Sequence, residues 1–305
     1  MYFDNRLTED DMQRVHDICP NPPPALLMAG SFAALLEAID TYTQETVHPV
    51  TSGMLGLSDR EKVILGLYYR SVGFCRTAIE LKSVIHQQSL TSAERSVIEL
   101  YVDMELVHRD AIPDAVEKVI AFSDWQKLKA ARRRGEFFTK NPELDKTPSK
   151  ATVHRAFIAS DEQRIVALVA KLWGPKAKPE HWSGINLIER GQKLDKDLEY
   201  MVMQDYDRRN FYVHTGLTGI FNMSKENFEQ LCMFALTQIG DCMLKELVIL
   251  GKELKLAQAI GGYEGSLEAI KKVQTFAFAD KILQMNGASP RFFMHKGQRP
   301  IVTLS

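Results

Sequence analysis

The 305-residue sequence is short of several things at once. It has four cysteines, Cys19, Cys75, Cys232 and Cys242, none of them in a C-x-x-C pair. That spacing excludes a zinc knuckle and, at this chain length, argues against a disulfide framework. All but Cys19 fall in helical apolar patterns and are expected as free core thiols. Neither charge is in excess: 38 Lys+Arg face 39 Asp+Glu, a net charge of −1. No global basic field gathers nucleic acid, so any RNA contact has to come from a local patch. The acidic N-terminus has no signal-peptide core, and no apolar run approaches the roughly 20 residues that cross a bilayer. A cytoplasmic location is the expectation. P-loop, dinucleotide fingerprint, G-x-S-x-G elbow and H-x-x-x-H pair are all missing. Gly261-Gly262-Tyr263-Glu264-Gly265 lacks the Lys-Ser/Thr of a phosphate loop, and no cofactor is expected. Period-2 alternation is absent outside the last residues, as are repeats and low-complexity tracts.

What is present is helical periodicity. Hydrophobic residues make up 45% and charged residues 25%, enough apolar surface for a real core. Thr8 caps a short helix that Pro20 and Pro22–Pro24 stop. A second helix is expected from Ala25 toward Val47, ended by Pro49. Ser58 with Glu61 forms a capping-box pattern, as do Thr91 with Glu94 and Ser160 with Gln163. Helices are expected from Ser58 toward Ile85, over Ser96–His108, and from Pro113 to Arg134. From Gly135 to Lys150 the pattern breaks. A helix after Ser160 is followed by a loop over Gly174–Gly184, with Trp173 and Trp182 expected to anchor it and His181 within it. Further helices are expected over Leu187–Leu194, Lys196–His214, Ser224 toward Leu254, and Leu267–Met285. The end is irregular or extended.

Helices joined by short loops imply an all-α multi-helix bundle. The expected organisation is an N-terminal extension over residues 1–50 and a core over residues 55–256, with a loop at residues 135–150. A C-terminal helix and tail follow over residues 257–305. The apolar tail segments Arg291–Met294 and Ile301-Val302 are expected to dock on the same subunit or on a partner.

The residue types of phosphodiester cleavage gather in Arg208-Arg209-Asn210-Phe211-Tyr212-Val213-His214. Histidine exchanges a proton near neutral pH. A guanidinium holds a phosphate bidentately and stabilises its developing charge. Asn210 and His214 are one turn apart and share a helix face. Arg209 and His214 lie about 140° apart around an ideal helix. They converge only through the long arginine stem, a distorted helix end or a second subunit. A homodimer burying Tyr206, Phe211 or Tyr212 near the motif is therefore expected, isologous pairing being the commonest assembly.

Arg209-Asn210-x-x-x-His214 resembles the R-N-x-x-x-H motif of the HEPN superfamily. That resemblance implies a small, commonly dimeric helical bundle and a metal-independent endoribonuclease of toxin–antitoxin, phage-defence or RNA-processing type. It implies Arg209 as the phosphate ligand, His214 as the acid–base residue and Asn210 as a polar helper. Gly216 stands where some HEPN toxins carry a regulatory tyrosine, so that regulation is not implied. A second resemblance, over roughly residues 60–255, is to an uncharacterised bacterial all-helical family. It rests on Arg70-Ser71, Trp182-Ser183-Gly184, Tyr200 with Tyr206, and Val213-His214-Thr215-Gly216, and implies no activity.

The sequence carries two further patterns. Glu45-x-x-His48 and Glu105-x-x-His108 repeat the carboxylate–histidine spacing of di-iron bundles, with Glu37 and Glu80 as candidate further ligands. Helix-end capping or surface pairing is the competing explanation. Lys127, Lys129, Arg132, Arg133 and Arg134 cluster at a helix end, where cations favour the dipole. With Arg208, the three arginines are the candidate RNA backbone contacts. A non-catalytic scaffold, sensor or partner-binding protein, including one that awaits a regulatory partner, is the alternative to the nuclease.

Overall fold

The computed structural model describes residues 2–81, 86–145, 149–213 and 224–295. The order of elements is β1 (Tyr2–Asn5), α1 (Glu9–Ile18), α2 (Ala25–Tyr42), a π-helical turn (Thr43–Val47), α3 (His48–Gly53), α4 (Asp59–Glu80), α5 (Gln87–His108), α6 (Ala115–Lys140), a 3-10 turn (Pro142–Leu144), α7 (Lys150–Trp173), α8 (Leu187–Gln192), α9 (Lys196–Val213), α10 (Lys225–Glu253), α11 (Leu256–Ala259), α12 (Tyr263–Met285) and β2 (Phe292–His295). The fold is an all-α multi-helix bundle with one small antiparallel ribbon among the described residues.

The core is centred on α10, 29 residues long and so about 43 Å, which packs on α2, α4 and α5. Leu36 and Ile39 of α2, Ile64 and Tyr68 of α4, Met104 of α5, and Ile239 and Met243 of α10 are fully buried in it. The core is not confined to residues 55–256 as expected. Helix α2 is a central element, and α12 packs on it and buries Ile270 and Val273 in the same cluster. The sequence reading under-ranked α2 because a helix covered on several sides loses the one-sided apolar stripe that marks amphipathic helices. For the same reason Ala25–Gly53 has the length and apolarity of a membrane-crossing helix, correcting the expectation that no such run exists. In the structure its apolar residues Leu35, Leu36, Ile39 and Tyr42 are packed against the neighbouring helices.

Pro49 does not end this helix. It sits in the first turn of α3, which continues α2 through the π turn at Thr43–Val47. The wider turn accommodates a residue with no N–H to donate. Thr43 Oγ1 donates back to Ile39 O and meets Tyr68 Oη at 2.5 Å, so the turn is fixed from both sides. The Ser58–Glu61 capping box forms. Those expected at Thr91 and Ser160 do not, because both residues lie inside longer helices and bond back to the carbonyls of Gln87 and Phe157.

The break expected from Gly135 is also displaced. Helix α6 runs on to Lys140, with Gly135 facing His154 and Ile158 of α7. Residues 141–149 link the two helices of a hairpin, and α6 packs chiefly on α7. The hairpin has its own small core of Trp125, Leu128, Ile165 and Val169. At the C-terminus, β2 pairs with β1 of the same chain in the register Tyr2↔His295 to Asn5↔Phe292. The segment Arg291–Met294 thus docks on its own subunit. Ile301 and Val302 lie outside the described residues.

Candidate functional site

Helix α9 begins where Asp195 accepts the backbone N–H of Leu198 at 2.9 Å. Asp195 also pairs with Arg109 at 2.8 Å, which fixes the start of α9 against the end of α5. Leu198 and Val202 are buried in the core, whereas Tyr200 and Met203 are 62% and 47% exposed. The helix continues to Val213, so the backbone of Arg208, Arg209 and Asn210 is helical, close to the expected span. Asn210 falls seven residues beyond Met203, which returns to the same helix stripe within about 20°. Their side chains and the whole of His214 lie outside the described residues, as do the side chains of Tyr206, Phe211 and Tyr212.

The di-metal alternative is not assembled. Glu105 accepts from Tyr101 Oη at 2.8 Å and from Arg109 Nε at 2.7 Å. His108 Nδ1 is 2.6 Å from Glu253, which also binds Arg60. His48 is exposed at a helix surface beside Tyr69 and Ser52. Among the described residues no three metal-ligating side chains converge, Glu45, Glu37 and Glu80 included. The spacing arises on helix ends whose histidines and glutamates meet other partners. The basic cluster is partly spent as well. Lys127 pairs with Asp124, and Arg132 pairs with Glu162 while lying over the Trp125 ring. Arg133 and Arg134 are exposed on the hairpin.

The sequence reading missed a polar cluster between α5, the 174–186 loop and α8. At its centre is Asp103, buried on α5. Arg190 Nη1 donates to Asp103 Oδ1 at 2.6 Å, and His181 Nε2 lies 3.2 Å from Oδ2. His181 Nδ1 accepts the Ser183 backbone N–H at 3.2 Å and is 2.8 Å from Ser183 Oγ. Nε2 also lies 3.0 Å from Arg190 Nη1, so the ring sits against both members of the ion pair. Burial by itself raises the Asp103 carboxyl, but the His181 hydrogen bond and the Arg190 charge outweigh it and hold the group below its ordinary value. Asp103 is therefore ionised at neutral pH.

These are the residue types of a Ser–His–Asp triad in an arrangement that cannot serve as one. Ser183 is buried and accepts the Ile185 N–H at 3.3 Å. The Ser183 hydroxyl also donates to Ile185 O at 3.2 Å, so it is committed to the turn and is not presented to a substrate. The group is a rigid turn. Trp173 Nε1 donates to Trp182 O at 3.1 Å, Trp182 is buried, and both anchor the loop as expected. Gly184 closes the turn at φ +76°, and a Cβ there would sit 3.1 Å from the Trp173 ring, so glycine is required twice over. Beside the turn opens a cleft of about 600 Å³ lined by Arg95, Glu99, Trp173, Lys178, Glu180 and Arg190, among others. One sequence signal for it existed: an aspartate embedded in the apolar run Leu100–Val107 needs a buried partner.

No curated protein and no solved structure matches the chain significantly. A family model does, over residues 61–230, from the first turn of α4 to the start of α10. This segment includes the Asp103–His181–Arg190 cluster and the motif at the end of α9. With more than half of its length matched, the chain belongs to the family of unknown function DUF5677.

Proposed function

We propose that this chain is a metal-independent endoribonuclease of HEPN type, acting in the cytoplasm as a homodimer in a toxin or phage-defence setting. The observation that carries the reading is the place of the motif. Arg209 and Asn210 are in the last turns of α9, on a helix whose described outer stripe, at Tyr200 and Met203, leaves apolar side chains exposed. A second copy laid along that stripe, which Asn210 continues, would bury them and bring the two helix ends together, with each Arg209 reaching round on its long stem toward the partner's motif. In this reading His214 takes the proton of a ribose 2′-hydroxyl or protonates the leaving oxygen. Arg209 steadies the charge on the phosphorane, and Asn210 orients one of them. The products are a cyclic phosphate and a 5′-hydroxyl, and DNA is not cut.

The test is incubation of mixed RNA with wild type and with His214→Ala in excess chelator. The reading expects cleavage by wild type and a loss of about two to four orders of magnitude in the variant. Equal cleavage by both removes His214 from the mechanism. Cleavage by neither favours the second reading, a non-catalytic sensor or binding protein. What favours that reading is the cleft beside Arg190, a preformed polar cavity of ligand size.

A further inference from the structure

We propose that the cleft between α5, the 174–186 loop and α8 binds a small phosphorylated compound with a flat ring, of the nucleoside monophosphate class. The first observation is Arg190. Its side chain is only 5% exposed, yet Asp103 engages it through Nη1 alone, at 2.6 Å. Nε is buried with no hydrogen-bond partner, and the remaining edge has no acceptor among the described residues. A guanidinium carries five donors in a planar fork, and a buried charged donor left unpaired is costly. His181 does not relieve it, because its Nε2 lies 3.0 Å from Nη1, the nitrogen that Asp103 already engages, and not against Nε. The missing partner is an oxyanion entering from the cleft that Arg190 lines.

The second observation is what else lines the cleft. Lys178 is exposed there and makes no ion pair, so a second cation stands available to the same anion. Glu180 supplies acceptors, and Glu99, whose Oε1 accepts from Arg95 Nε at 2.9 Å, a further oxygen; a bare phosphate could not use them, but they suit ribose hydroxyls or an exocyclic amine. The Trp173 indole supplies an aromatic surface held in place by its bond to Trp182 O. A volume of about 600 Å³ is ample for a mononucleotide and far larger than a lone oxyanion needs. None of the described residues that line the cleft belongs to α9, and the proposal does not rest on the chemistry of the motif.

The experiment is titration of the full-length protein with each of the four ribonucleoside 5′-monophosphates, read by tryptophan fluorescence and calorimetry. Parallel titrations use the matching nucleosides and inorganic phosphate. At least one monophosphate is expected to saturate below about 1 mM, with its nucleoside and free phosphate at least about tenfold weaker. Lys178→Glu, a surface change with no folding penalty expected, weakens that binding at least about tenfold at unchanged Tm. Arg190→Lys keeps the ion pair with Asp103, loses the fork, and loses binding. His214→Ala binds as wild type does, which separates this site from the motif. Saturation by phosphate as tight as by any nucleotide overturns the ring assignment. No binding by any monophosphate at about 1 mM, or binding that Lys178→Glu leaves intact, overturns the site.

Discussion

At the scale of single residues, the most telling groups are two buried carboxylates held in opposite states. Asp103 is kept ionised by His181 and Arg190. Glu246 is wholly buried, meets only Ser71 Oγ at 2.8 Å, and has its second oxygen unpartnered. Burial pushes its carboxyl well above the ordinary value, so it keeps its proton. An unfolded glutamate releases that proton near pH 4.3. Between there and the raised folded value the unfolded chain binds fewer protons, so stability falls as pH rises. Glu246→Gln mimics the protonated form and is expected to raise Tm more at pH 8 than at pH 5, read by thermal melts. A Tm gain equal at both values would show that Glu246 is not the titrating group. Asp103 has the opposite sign: its contribution is complete above about pH 4 and is lost as pH falls through the lower folded value. Asp103→Ala strands Arg190 and is expected to cost about 3–5 kcal/mol in urea unfolding at pH 7. A cost under about 1 kcal/mol, the surface-pair scale, would count against the buried pair.

At the scale of elements, close approach decides where helices sit. Tyr263 of α12 reaches α10, where its hydroxyl donates to Leu247 O at 2.6 Å. A Cβ at Gly251 would meet the Tyr263 ring at 2.5 Å. Gly251→Ala is therefore expected to destabilise by about 1–3 kcal/mol through overpacking, whereas helix propensity alone would make it stabilising. The sign of the measured change separates the two. The α6–α7 hairpin rests on four buried residues of its own and packs little on the rest. Its amides are expected to exchange with deuterium well before those of α2 and α10, which share the main core. Simultaneous exchange would make the hairpin part of one cooperative unit. Its span was legible in pieces only. Gly135 and Ser160 read as punctuation in the sequence, but packing between the two helices overrides both local signals.

At the scale of the whole molecule, the first and last described segments of the chain are joined. The β1–β2 ribbon is reinforced by Arg291, whose side chain pairs with Asp11 of α1 and whose backbone N–H donates to Asp280 at 2.6 Å. Removal of residues 289–305 is expected to lower Tm by several degrees, since a loss of about 1 kcal/mol moves Tm by roughly 2–4 °C in a chain of this size. An unchanged melt would show the ribbon to be dispensable. The sequence by itself determined the helical class, most helix spans from α8 onward, and the caps at Thr8, Ser58 and Ser224. Those features follow from periodicity and from hydrogen bonds closed within a few residues. It also exposed the Arg209–His214 motif as a pattern, but not whether its members meet. Only the tertiary structure decided that α2 lies at the centre, that Pro49 is absorbed by a π turn, and that Glu105 and His108 belong to different clusters. It alone brought Asp103 and Arg190, 87 positions apart, to 2.6 Å. The physical reason is range: a cap or a stripe is written in neighbouring residues, whereas a buried ion pair and the cleft beside it exist only once distant helices have packed.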